Sequence, residues 1–188
     1  MEIGYISVDN FKTINDSFGH YEDLYVSVNI APQEFQSPDF VDKVKEILLE
    51  TEIEPKSLEL EITERATMEN ISYTIDVLKE LKNLGVKIAI DDFSISYSLL
   101  SYLKEFAIHT LKVDQSFIRE LTLDDIDNKN AAIAETIITI GYNLDLKVTA
   151  EGVERREQLE FLKARGCDTL QGYYFSRTVD KDSAIKLL

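Results

Sequence analysis

A chain of 188 residues, 44% hydrophobic and 29% charged, has the composition of one soluble globular domain with a core of its own. Its 35 acidic and 20 basic side chains give a formal charge of -15, which excludes a nucleic-acid polymer held by a basic patch and repels anionic membrane. Cys167 is the single cysteine, so an intrachain disulfide and a thiolate metal site are excluded as well.

There is no apolar run long enough to span a bilayer and no basic leader, so no membrane segment and a cytoplasmic location are expected. Along the chain, strand-like runs appear at 2–8 (EIGYISV), 24–30 (LYVSVNI), 57–63 (SLELEIT), 86–92 (VKIAIDD), 109–114 (HTLKVD), 146–151 (LKVTAE) and 169–175 (TLQGYYF). Amphipathic stretches lie between them. FVDKVKEILLE (40–50) follows a Ser-Pro-Asp start signal, and ISYTIDVLKELKNLG (71–85) ends on Gly85, a natural C-cap. Helical patterns follow at 130–146 and at 156–166. Strand, helix, strand, helix predicts an α/β fold of parallel strands with crossover helices.

Asn29, Glu61, Asp91, Lys112, Glu151 and Gln171 each fall at the C-terminal end of a different predicted strand. In a (β/α) barrel that rim is where side chains from successive strands converge. A rim of carboxylates, an amide and a lysine has the oxygen ligands that suit Mg²⁺ or Mn²⁺. The adjacent pair Asp91 and Asp92 fits the same chemistry. Two such charges about 4 Å apart repel by about 4 kcal/mol near a protein surface, unless both face water or share a cation. Taken singly, each residue has the plainer alternative of a strand-end side chain in water. For Glu151 that alternative is a carboxylate at a helix N-terminus. Tyr173 and Tyr174 are read as packing residues rather than ligand-stacking ones.

The ordered motifs SVN (27–29), ELEITE (59–64), IAIDDF (88–93), YSLLSYL (97–103), LKVDQSFI (111–118), AEGVE (150–154) and QGYYFSR (171–177) resemble the EAL-domain family of cyclic di-GMP phosphodiesterases. The resemblance runs from about Tyr25 to the C-terminus. It implies a modified TIM barrel, hydrolysis of cyclic di-GMP to linear pGpG, and Mg²⁺ or Mn²⁺ as cofactor. It further implies Asn29 and Glu61 as first-metal ligands, Asp91 as a ligand bridging two metals, and Asp92 as a second-metal ligand. By the same resemblance Lys112 holds the attacking water or the phosphate, and Glu151 is the general base. Gln171 positions water or ligand, and Glu64 steadies the loop after the DDF strand.

The sequence also departs from that family. No EAL tripeptide occurs, so the glutamate that completes the first metal site is missing. VDNFKTINDSFGH (8–20) instead resembles the front of a GGDEF diguanylate cyclase domain, with Ser7 at its leading metal aspartate, Asp9 at the second and Asn15 at the guanine-contacting asparagine. In a weaker alternative, IGYISV is a decayed GYEAL strand with Ile6 at the glutamate. Asp9 is either a substitute metal ligand or, more simply, a helix N-cap. The family's DDFGTGYSSL becomes DDFSISYSLL, so Ser94 and Ser96 replace glycines, which strains the backbone wherever φ is positive.

The expected organisation is a GGDEF-like fragment over 1–23 and an EAL domain over 24–188 that lacks the first family strands and forms an incomplete barrel. A homodimer through the barrel edge or the loop after Asp92 would cover the unpaired strands. The expected function is a weak or inactive cyclic di-GMP phosphodiesterase. The alternative is a non-catalytic module that binds cyclic di-GMP or another protein.

Overall fold

Val26–Ile30 (β1), Leu58–Thr63 (β2), Lys87–Phe93 (β3), Thr110–Val113 (β4), Lys147–Ala150 (β5) and Thr169–Leu170 (β6) form one sheet in sequential order, every neighbouring pair parallel. This computed structural model describes residues 25–94, 97–121, 129–180 and 183. The predicted strand at 2–8 and the cyclase-like segment lie outside the described residues. Among the described residues, six consecutive parallel strands make an α/β half-barrel of incomplete TIM type.

Between the strands run α1 (Pro32–Phe35), α2 (Phe40–Thr51), α3 (Glu64–Met68), α4 (Ile71–Leu84), α5 (Tyr97–Tyr102), α6 (Gln115–Ile118), α7 (Lys129–Asn143) and α8 (Arg156–Ala164). Alternation along each strand sorts the side chains by face. One face carries Val26, Leu58, Leu60, Ile62, Ile88, Ile90, Leu111, Val113, Val148 and Ala150, all buried. Against it pack Val77, Leu78 and Leu81 of α4, with Ala134, Ile137 and Ile138 of α7. Burial of each large aliphatic there contributes about 1.5–3 kcal/mol before entropy is set against it.

The opposite face is polar: Ser27 and Asn29, Glu59 and Glu61, Asp91, Thr110 and Lys112, Thr149, Thr169. That polarity separates this sheet from the double-sided apolar strands of an ordinary parallel sheet.

Gly85 ends α4 at φ 88°, its N–H bonding the carbonyls of Leu81 and Lys82, where a residue with Cβ is disfavoured. The last strand is shorter than predicted. β6 stops at Leu170; Gln171 still bonds the edge of β5, its N–H on Ala150 O at 2.9 Å, and Gly172 follows at φ 155° against the backbone of Val153. A side chain at Gly172 would overlap that backbone, so this close approach requires glycine.

Candidate active site

β3 and β4 carry the centre of the site, and their pairing is irregular. Ile90 pairs with Leu111 and Phe93 with Val113, so Asp91 and Asp92 together oppose Lys112 alone. This is a β-bulge, which adds one residue to one strand and re-aims a side chain. Asp92 takes up the extra length in the left-handed region, at φ 53°. Two consecutive carboxylates can therefore serve one rim although regular alternation would send them to opposite faces. Strain is expected at Ser94 and Ser96 wherever φ is positive; Ser96 lies outside the described residues, Ser94 is not at positive φ, and Asp92 is.

Lys112 is 2% exposed, and its Nζ stands 2.6 Å from Glu61 Oε2, 2.5 Å from Glu151 Oε1 and 3.5 Å from Asp91 Oδ1. Burial alone would lower the lysine pKa, but the three carboxylates outweigh it and hold the ammonium charged. Burial raises the carboxyls of Glu61 and Glu151, with Lys112 pulling both back toward ionisation. Oxygens of Glu61, Asp91 and Glu151 lie within 4.8 Å of one another. Among the described residues the buried Glu61 Oε2 and Asp91 Oδ1 have the Lys112 ammonium as their one cationic partner, at 2.6 and 3.5 Å. Three converging carboxylate oxygens are the donor chemistry of a hard divalent cation, so these residues fit Mg²⁺ or Mn²⁺.

Asp92 faces another way. Burial, a hydrogen bond with the Asp114 carboxyl and the charges of Asp91, Asp114 and Glu151 push it up to about 6. Burial also acts upward on Asp114, but hydrogen bonds from Ser116, including its N–H at 2.8 Å, hold that carboxylate low. Of the two carboxyls, Asp92 is therefore the one raised and Asp114 the one lowered. Asp114 was missed in the sequence, although parity finds it: it stands two residues after Lys112, at the same rim.

Asn29 is exposed and in register with Glu61. Gln171 is half-buried just beyond β6, its backbone N–H on Ala150 O at 2.9 Å. Glu64 starts α3, and its Oε2 accepts from Ser94 N–H at 3.1 Å and Ser94 Oγ at 3.0 Å. The serine that replaces the family glycine thus adds a second bond to this clasp. A cavity of about 630 Å³ opens beside it, lined by Glu64, Arg65, Met68, Asp92 and Ser94 among others. Tyr173 and Tyr174 are exposed, Tyr174 packing edge-on against Phe175 at 5.4 Å between ring centres and Tyr173 lying under the Arg177 guanidinium at 5.3 Å.

Among the described residues no helix is long and apolar enough to cross a membrane. The EAL domain family profile matches residues 6–178, which takes in most of the cyclase-like segment as well. The signaling protein YkoW of Bacillus subtilis is 45% identical over 159 residues, 84% of this chain and 19% of its own length. MucR of Pseudomonas aeruginosa, a bifunctional diguanylate cyclase/cyclic di-GMP phosphodiesterase, is 39% identical over 167 residues, 89% of this chain and 24% of its own. The chain thus spans about a fifth to a quarter of the curated relatives it matches. The PaMucR phosphodiesterase in complex with c-di-GMP superposes with a TM-score of 0.87 at 36% identity, over 94% of this chain and 70% of that one. A manganese/cyclic di-GMP complex of BlrP1 from Klebsiella pneumoniae gives 0.71 at 32% identity, over 81% of this chain and 38% of that one.

Proposed function

Because the chain belongs to the EAL domain family, we propose that it is a cyclic di-GMP phosphodiesterase domain, opening one phosphodiester to give linear pGpG with Mg²⁺ or Mn²⁺. The observation that carries this reading is the convergence of Glu61, Asp91 and Glu151, with carboxylate oxygens within 4.8 Å of one another. Homologues bearing the same fold have been captured with cyclic di-GMP and with manganese.

In this reading Glu61, Asp91 and Asn29 would hold one cation, and Asp91 and Asp92 would hold a second, with Asp114 beside Asp92. A cation pair bound there would activate water and neutralise charge on attacking and leaving oxygens. Glu151 takes the proton of the attacking water on its carboxylate, its raised affinity for protons favouring that transfer. Lys112 presents fixed positive charge to the phosphate, which an otherwise acidic protein needs. Gln171 orients ligand or water from the end of the sheet, and Glu64 holds the loop after β3 through Ser94.

No EAL tripeptide occurs, so metal binding is weaker than the full ligand set gives, by at least the 10–100-fold typical of losing a supporting group. Residues 1–23 are read as GGDEF-like. A second reading is favoured by Lys112 itself: its ammonium already offsets part of the carboxylate charge without metal, as a metal-free receptor of cyclic di-GMP requires.

Incubation with cyclic di-GMP and Mn²⁺, following pGpG by chromatography beside Asp91→Ala, separates the two. Turnover lost in the variant supports the enzyme. Metal-independent binding without turnover supports the receptor, and neither binding nor turnover overturns both.

A further inference from the structure

We propose that Glu59 is a positioning residue for the metal site, acting through a hydrogen-bonded tier that lies one layer beneath the rim. Its consequence for metal rests on the phosphodiesterase reading; its geometry does not.

Glu59 is 3% exposed, and among the described residues it makes no ion pair. Its two oxygens are divided between two other strands. Ser27 Oγ of β1 donates to Oε2 at 3.1 Å, and Thr110 Oγ1 of β4 donates to Oε1 at 2.8 Å. Each member stands two residues before a rim residue on the same face: Ser27 before Asn29, Glu59 before Glu61, Thr110 before Lys112. A strand that slides or tilts at the tier therefore carries its rim residue with it.

Glu59 reaches Thr110 across the whole width of β3, two strand spacings or roughly 9.6 Å. What permits the crossing is Ala89, fully buried on the strand between, in register with Thr110 and with Glu61. In barrels, side chains of alternate strands share a layer, as Glu59 and Thr110 do here. A larger side chain at Ala89 would stand in that path.

Stability alone does not call for such a group. A buried carboxylate held only by neutral hydroxyls is costly to desolvate, and an apolar side chain of similar size commonly serves a core as well or better. What the carboxylate adds is direction: two acceptors fix β1 and β4 relative to β2 at once, and with them the approach of Lys112 to Glu61. Glu59 touches neither metal nor substrate, so its effect travels through the positions of Asn29, Glu61 and Lys112.

The test compares Thr110→Val, which keeps shape and removes the donor, with Ala89→Val, which fills the passage, and with Glu59→Gln, which keeps an acceptor oxygen. Ser27→Ala, at a half-buried site, serves if a core variant fails to fold. The readouts are Mn²⁺ affinity by calorimetry, thermal melting, and a crystal structure of Thr110→Val. Expected is a loss of about 10-fold in Mn²⁺ affinity for Thr110→Val and Ala89→Val, the scale of a lost supporting bond. Glu59→Gln should retain most of it, and Lys112 should be displaced from Glu61 in the Thr110→Val crystal. A lowered melting temperature with Mn²⁺ affinity and the Lys112–Glu61 separation both unchanged overturns the proposal. If the parent protein binds no Mn²⁺, the metal reading fails by itself. The crystal structure then decides the tier: a displaced Lys112 supports it and an unmoved one overturns it.

Discussion

Lys112 is the one cation among three carboxylates, and it sits where a divalent ion would compete for the same oxygens. Removing one partner of a buried ion pair leaves uncompensated charge, which costs about 3–5 kcal/mol. Lys112→Met should therefore lower the metal-free stability by roughly that amount. Mn²⁺ should restore more stability to the variant than it adds to the parent, since binding to the native state alone is stabilising. Urea denaturation of both proteins in EDTA and in Mn²⁺ reads the difference. An equal deficit in the two conditions would mean that ammonium and cation use different carboxylates. The residues around Lys112 were legible in the sequence because strand ends in a repeating α/β pattern must converge. The bulge that lets Asp91 and Asp92 together oppose Lys112 was not legible, because it is a register event between two strands and leaves no mark on either alone. Asp114 itself could be found by parity with Lys112, but its pairing with Asp92 could not, since that contact joins two strands.

At the scale of elements, β3 and β4 are joined below the bulge by a side chain as well as by their ladder. The Ile88 N–H donates to His109 Nδ1 at 3.1 Å, while His109 N–H donates to Ile88 O at 2.9 Å. Nδ1 must be unprotonated to accept. Burial, with Lys82 and Lys87 nearby, lowers the His109 pKa. The folded value lies below the unfolded value of about 6.5, so the contribution is complete above that pH and is lost as pH falls through the folded pKa. Stability measured by urea between pH 7.5 and pH 5 should fall more steeply in the parent than in His109→Asn, whose amide oxygen can accept the same N–H. Asp92, raised to about 6, titrates in this range with the opposite sign, and the parent-minus-variant difference cancels it. Parallel curves for the two proteins would remove His109 as the cause. The long helices and first five strands were readable from periodicity within a few residues. The short helices α1, α3, α5 and α6 were not, since four to six residues carry no helical period to detect. β6 was overread because TLQGYYF has strand composition, whereas the strand stops at Leu170.

For the whole molecule, the charge of -15 sets how an anion arrives. Cyclic di-GMP carries two phosphodiester charges, so the long-range field of this chain repels the ligand that the proposed function requires. The Debye length falls from about 30 Å at 0.01 M salt to about 8 Å at 0.15 M, shorter than the molecule is wide. Screening then removes the repulsion from distant surface carboxylates and leaves the ligand to the local charges at the rim. The association rate of cyclic di-GMP should therefore rise several-fold over that range, opposite to the salt-weakened binding of a basic nucleic-acid partner. Stopped-flow measurement at fixed Mn²⁺ reads it directly, and the Asp91→Ala variant should keep the same slope, because one charge of the excess changes the distant field little. A rate that falls with salt would mean that local cations steer the approach. Lys112 is buried and shielded by its carboxylates, so Arg65, exposed in the cavity beside Asp92, would be the first to replace.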